Sequence, residues 1–404
     1  METLARAQVL FPQIRAWRRH LHQHPELSFE EWETQRFLIQ ELEKLPSVRV
    51  RKAAQTGVIA DLVTNPAGPW IALRADMDAL PLTEMEGRPY RSTRPGLMHA
   101  CGHDAHMAML LGAAYLLWES RTRWQGGIRL LFQPGEEKAP GGASLLLAEG
   151  ALTEVPIRAI WGLHVTPQLP VGQVGLREGP FMAASDEVHI RLQGPGGHAA
   201  YPHQTPDPIA VGAALINQLQ LVVSRAADPR SPTVLSFGQV VGGTAPNILA
   251  SELRLAGTLR TFDESWRARA RTLIKTLVEE TARPWNLQAE VTFAPGYPVL
   301  VNDPELTRLT RSWCETLLGP SKVQALPLWL SSEDFAFYSQ VVPACFIRLG
   351  TGHEKYPPSL RPVHTADFDV AEEALAVGTA VLTEVALQAL AYWSPPSQSP
   401  RGST

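Results

Sequence analysis

The chain has 404 residues, 45% of them hydrophobic and 19% charged, with a formal net charge of −4. That length exceeds one ordinary core and predicts two domains, with one inserted into the other. A weakly acidic chain without a run of Lys and Arg excludes the electrostatic footprint of a nucleic-acid binder and leaves small-molecule chemistry as the expectation.

The N-terminus scatters charges among its apolar residues, so a secretory leader is not expected. No segment reads as an uninterrupted membrane span, and a cytoplasmic location is expected. Three cysteines, Cys101, Cys314 and Cys345, are too few and too odd for a disulfide scaffold. Only Cys101 has a polar, ligand-like setting, and Cys314 and Cys345 read as small core residues.

In chain order, Ser28 and Glu31 resemble a capping box for a helix running to about Leu45. Val58–Val63 and Trp70–Ala75 read as strands, and His103 to about Leu117 as a helix. GIRLLFQ and RAIWGLHV follow as short apolar strands bounded by Gly and Pro. Strands alternating with helices predict an α/β layer, in which ligands gather beyond the carboxyl ends of the strands.

From about Asp186 to Ala294 the rhythm becomes β-α-β-β-α-β, the arrangement of a ferredoxin-like α+β domain. The α/β pattern then resumes, with a helix from about Pro304, another near Glu333–Ser339, a strand in ACFIRLG and a last helix from about Val370 to Leu390. The expected organisation is a discontinuous α/β catalytic domain (1–185 and 295–393) with a mixed sheet and flanking helices. An inserted domain (186–294) interrupts it, and a flexible tail (394–404) follows.

Four distant stretches carry metal-preferring side chains: Cys101 and His103 in MHACGHDAHMA, Glu136 and Glu137 in FQPGEEKAPGG, His164 in IWGLHV, and His364 in PVHTADF. A thiolate, three imidazoles and a carboxylate suit a paired-metal hydrolytic site. Adjacent carboxylates in a turn repel unless a cation is present, and the second of such a pair is free to take a proton from water. Singly, Cys101 reads equally as a small core residue, Glu136–Glu137 as a solvated loop, and His164 and His364 as satisfied histidines. Asp104 reads as a helix cap or as a partner of a ligand histidine. His198 lies in the glycine-rich GPGGHAAYPH. Asn247 in GGTAPNILA and Arg260 in GTLRTF are candidates for holding a substrate carboxylate.

With those motifs, and with RRHLHQHPELSFEE, LRADMDALPL and SSEDFAFY, almost the whole chain resembles the aminoacylase and carboxypeptidase superfamily of co-catalytic metallopeptidases. More narrowly it resembles the amidohydrolase branch of hippurate hydrolases, N-acyl-amino-acid amidohydrolases and indole-3-acetyl-amino-acid hydrolases. The resemblance implies two divalent ions, zinc first and cobalt, nickel or manganese as alternatives, held by Cys101, His103, Glu137, His164 and His364, with Cys101 bridging. It implies Glu136 as general base and hydrolysis of an N-acyl amino acid or short peptide. It also implies that the inserted domain acts as a lid and builds a homodimer or homotetramer, with His198 stabilising the oxyanion in the partner's site and Asn247 and Arg260 binding substrate. Two positions depart from the pattern, Pro195 where lysine and Gly135 where alanine are frequent. Arg74 takes the place of a ligand histidine of other branches, which makes Asp76 a supporting residue. A thiol hydrolase using Cys101 as nucleophile and a catalytically silent metal-binding dimer are the rival readings.

Overall fold

The computed structural model describes residues 2–394, so all of the expected tail except its first residue lies outside the described residues. The chain forms two compact units. The first comprises the chain up to Gly179, Val301–Pro327, and the chain from Phe337 on; the second comprises Pro180–Leu300 and Leu328–Ala336.

The first unit is built on an eight-stranded mixed sheet of β1 (Arg49–Ala53), β2 (Gly57–Val63), β3 (Trp70–Asp76), β4 (Gly127–Gln133), β5 (Ile157–Pro170), β6 (Val174–Leu176), β7 (Val323–Ala325) and β8 (Ala344–Gly352). Their spatial order is β1-β2-β4-β3-β5-β8-β6-β7. The central four, β4, β3, β5 and β8, run parallel. Strands β3, β4 and β8 are buried at every residue, which is why their sequences read as continuous apolar runs rather than alternating ones.

The helices Glu2–Gln23, His103–Glu119 and Glu373–Trp393 pack against one another, and His103–Glu119 also lies on β3. His103–Glu119 is covered on all sides: Leu110, Leu111, Ala113 and Ala114 have no exposed surface. That explains a helix with almost no polar face. Truncating Leu110 to Ala there would cost about 2–5 kcal/mol. Two helices, Pro208–Ala226 and Glu373–Trp393, are long and apolar enough to cross a membrane by length and composition, and the second has 72% of that window buried in the protein.

The expected capping box does not form. The helix runs Trp32–Leu42 with Glu31 at its N-cap position and no side-chain cap. Its free N–H groups are met from outside, by Glu26, which accepts from Glu33 N and Thr34 N at 2.9 and 2.8 Å. Ser28 and Glu31 turn elsewhere.

The second unit has four antiparallel strands, ordered Thr233–Gly242, Glu252–Thr261, Ala184–Gln193, Gln288–Pro295. Helices Pro208–Leu221 and Glu264–Ala282 are each capped by an aspartate, Asp207 and Asp263, and both pack on the sheet to close a separate core. The segment Leu328–Ala336 joins this unit because Ala183 N donates to Trp329 O at 3.0 Å, a backbone link without a pattern in sequence.

Candidate metal centre

Strand register assembles the floor of the site. Asp76 is paired across from Gln133 and His164 from Arg348. Arg74 is level with Gly162, so two residues on Asp76 comes level with His164. Four parallel strands thus carry Asp76, Gln133, His164 and Arg348 in one row, at the carboxyl ends of β3 and β4 and midway along β5 and β8, where side chains of neighbouring strands face the same way.

The remaining donors arrive on loops that follow these strands. Gly102 has φ +87°, and a Cβ there would stand 2.6 Å from Val165 Cγ2, so only glycine lets Cys101 and His103 both turn inward. Gly135 (φ +58°) turns the chain after β4 to present Glu136 and Glu137. His364 adopts φ +66°, a costly conformation for a residue with a side chain, and its backbone N donates to Ala100 O at 2.8 Å. The histidine is thereby tied to the Cys101 loop.

The structure brings together the five candidate metal ligands and Glu136. Cys101, His103 and His164 place ligand atoms within 4.8 Å of one another; so do Cys101, Glu137 and His364, and so do His103, Glu136 and Glu137. Cys101 Sγ lies 3.4 Å from His164 Nε2 and 3.3 Å from His364 Nε2. Cys101 is thus common to two of the groups.

Two buried atoms in this cluster, His103 Nε2 and Glu137 Oε1, have no hydrogen-bond partner. They stand 4.0 Å apart, and His364 Nε2 comes within 3.2 Å of the same oxygen without hydrogen-bond geometry. An unpartnered buried carboxylate oxygen facing imidazole nitrogens is costly unless a cation joins them. Sulfur, nitrogen and oxygen donors so arranged fit a borderline divalent ion. Electrostatics agree: the neighbouring Cys101 sulfur and Glu137 carboxylate push His364 up to about 10, whereas burial and the Arg348 charge push His164 down.

Supporting contacts orient the ligands. His103 Nδ1 donates to Asp78 Oδ1 at 3.2 Å, leaving Nε2 for the cluster. His164 Nδ1 donates to Val165 O at 2.7 Å, with the same consequence. His106 Nδ1 donates to Asp76 Oδ1 at 2.6 Å and His106 Nε2 accepts from Val165 N. Asp76 is also ion-paired with Arg74 at 2.8 Å. Asp104 neither caps its helix nor holds a ligand histidine: its carboxylate accepts from Arg18 Nε and His22 Nδ1 at 2.8 and 2.7 Å. Asp78 escaped the sequence reading, although its position two residues after Asp76, on the same side of an extended chain, is the signal that could have found it.

His198, Asn247 and Arg260 lie in the second unit. His198 and Asn247 are exposed, and the short strands Gly197–His198 and Ile248–Leu249 pair. Arg260 is half-buried and donates to Ser332 Oγ at 2.9 Å.

A strand-edge cluster of this composition defines a metallohydrolase, and comparison with known proteins places it. The profile of Peptidase family M20/M25/M40 matches residues 72–388. The chain is 42% identical to an N-acetyl-L-cysteine deacetylase of Bacillus subtilis over 86% of its length and 83% of the relative's. It is 43% identical to an N-acyl-L-amino acid amidohydrolase of Geobacillus stearothermophilus, over 71% and 77%. The solved structure of the B. subtilis YXEP protein, described as a dinuclear metal-binding peptidase of the M20 family, superposes with TM-score 0.82 at 33% identity, covering 95% of this chain and 99% of that one. The chain belongs to peptidase family M20/M25/M40. It is a metal-dependent amide hydrolase of that family, with a site for two divalent ions.

Proposed function

We propose that the protein hydrolyses N-acyl amino acids, releasing a carboxylic acid and a free amino acid, and that Cys101, His103, Glu137, His164 and His364 would hold two zinc ions. The observation that carries this reading is the grouping of Glu136 with His103 and Glu137, which sets a second carboxylate beside the donor cluster. Divalent ions there supply a Lewis acid that makes water a nucleophile near neutral pH. Glu136 accepts the proton of the attacking water and returns it to the leaving amine. His198 Nδ1 accepts from Ala200 N at 3.1 Å, so the ring proton sits on Nε2, ready to donate to a carbonyl oxygen as negative charge develops. Arg260, whose pKa burial lowers, and Asn247 bind the substrate carboxylate.

The second unit serves as lid and dimer contact. Its edge strand Thr233–Gly242 exposes Val240 and Val241 at 57% and 44%, an unpaired apolar edge of the kind that a second copy covers. Three free cysteines suit a reducing cytoplasm. The rival thiol mechanism needs a lowered Cys101 pKa, and burial followed by the Glu137 charge raises it.

The test is a panel of N-acetyl, N-benzoyl and indole-3-acetyl amino acids, assayed with zinc, cobalt, nickel or manganese and after chelation. Glu136→Gln is expected to lower kcat by about 10²–10⁴-fold with metal content unchanged. Turnover by the fully loaded variant at the normal rate would overturn the base assignment, and a wholly inert loaded wild type would leave a silent binding protein.

A further inference from the structure

The two side chains that should have formed the capping box both reach the metal-site loops instead. Ser28 Oγ donates to Asp78 Oδ2 at 2.7 Å, and the same Asp78 oxygen accepts from Glu137 N at 2.9 Å, while its other oxygen holds His103. Glu31 is fully buried, accepts from Gly135 N at 2.9 Å through Oε1, and accepts from Thr56 Oγ1 through Oε2. The ring of Phe29, itself at φ +66°, fills the space beside Gly135, with Cε1 2.3 Å from where a Cβ would be. Three side chains of one loop therefore hold the segment 135–137: Glu31 at its first residue, Phe29 beside its turn and, through Asp78, Ser28 at its last residue.

A carboxylate at an N-cap position ordinarily serves its own helix. Here the helix is capped by Glu26, and Glu31 is spent on a backbone N–H of the loop bearing the base. Burying a carboxyl in this way is costly: burial and the neighbouring Asp78 push it up to about 7. Local rules broken at a cost are expected where function compensates.

We propose that Glu31 is a positioning residue that fixes the Glu136–Glu137 loop, setting the base and one metal ligand together through its hydrogen bond with Gly135 N. This rests on the hydrolytic reading above for the base, whereas its effect on Glu137 does not depend on any substrate. The hydrogen bonds make a distinctive demand. A glutamine at 31 keeps an amide oxygen for Gly135 N, and its NH₂ donates to the Thr56 hydroxyl, which can serve as acceptor. An alanine loses both.

The experiment compares Glu31→Ala and Glu31→Gln by zinc titration against a competing chelator, by kcat and KM on the best N-acyl amino acid, and by thermal melting. Glu31→Ala is expected to weaken one of the two zinc sites at least tenfold, leave the other within twofold, and lower kcat at least tenfold with KM within threefold. Glu31→Gln is expected to retain both affinities and kcat within threefold. Equal loss in Glu31→Ala and Glu31→Gln, or a lowered melting temperature in Glu31→Ala with both zinc sites and kcat intact, would overturn the proposal. If Glu31→Ala does not fold, Thr56→Val takes its place, with a selective weakening of one zinc site expected and unchanged zinc binding counting against the idea. Zinc binding separates the two readings: an inert wild type that still shows the selective loss refutes the hydrolase and not the clamp.

Discussion

Two buried polar clusters lie within the first unit, and only in one of them do opposite charges of the chain meet. Around Arg18, opposite charges meet: its guanidinium donates to Asp104 at 2.8 Å and to Asp369 at 2.6 Å, His22 bridges Asp104 and Glu84, and Tyr90 and Arg88 close on Asp369, although Arg18 Nη1 and Asp104 Oδ1 make no hydrogen bond of their own. Around Cys101 the side chains are nearly all electron-pair donors, and His103 Nε2 and Glu137 Oε1 face each other without a partner. The first cluster is balanced by the chain's own charges and holds the N-terminal helix, the start of helix His103–Glu119 and the loop before the last helix together. The second is balanced only by something the chain does not encode. Equal burial thus supports opposite roles, and whether the chain supplies the opposing charge tells them apart.

The comparison breaks most sharply at Cys101. Cys101→Ala removes the donor common to two of the ligand groups. Zinc stoichiometry is expected to fall below two and activity to drop by more than about 10³-fold, because lost occupancy adds to lost chemistry. Plasma-emission metal analysis alongside kcat checks it, and two tightly held ions in the variant would show that the cysteine is dispensable.

At the Arg18 cluster the expectation reverses. Arg18→Ala takes from buried Asp104 and Asp369 the guanidinium that both contact, which costs about 3–5 kcal/mol of folding stability, while zinc stoichiometry is expected to stay at two. Urea unfolding of the zinc-loaded protein measures the first, and a drop in stoichiometry would show that the two clusters are one system. The first unit's own unfolding transition is the one to follow, since the chain has two cores.

Most of this architecture was legible in the chain. Strands β3, β4, β5 and β8 announced themselves because parallel strands covered on both faces need unbroken apolar runs, and Glu136, Glu137 and His164 drew notice because each follows or ends such a run. The Ser28–Glu31 reading failed because a local motif cannot reveal that Glu26 already serves the helix. Nor could it reveal that Asp78 and Gly135, 50 and 104 residues downstream of their partners, would claim both side chains. Asp104 was misread for the same reason: its partners Arg18 and His22 lie more than 80 residues upstream. Contacts between distant side chains are a property of packing, and periodicity does not carry them.

A smaller effect appears with pH. Burial raises the Asp369 carboxyl, but Arg18 and Arg88 overcome it and hold the group down to about 2, against 3.8 for a free aspartate. A depressed folded pKa contributes stability that is present above pH ~4 and lost as pH falls through about 2, here roughly 2 kcal/mol. Asp369→Asn is expected to be less stable at pH 7 and to flatten that limb of the acid-unfolding curve between pH 4 and 2. A limb of unchanged slope would assign the acid sensitivity to other carboxylates.

The smallest expected effect probes how the metal-site loop is held. Gly135→Ala meets two separate obstacles, a left-handed backbone (φ +58°) and the ring of Phe29 at 2.3 Å. The backbone part alone costs roughly 1–2 kcal/mol, and the ring adds to it in the native background. In a Phe29→Ala background the ring is gone, so adding Gly135→Ala is expected to cost only the backbone part, and thermal melts of the four proteins in this cycle separate the two. Additive costs would mean that the Phe29 ring yields freely, and that the loop carrying Glu136 is braced by its hydrogen bonds rather than by packing.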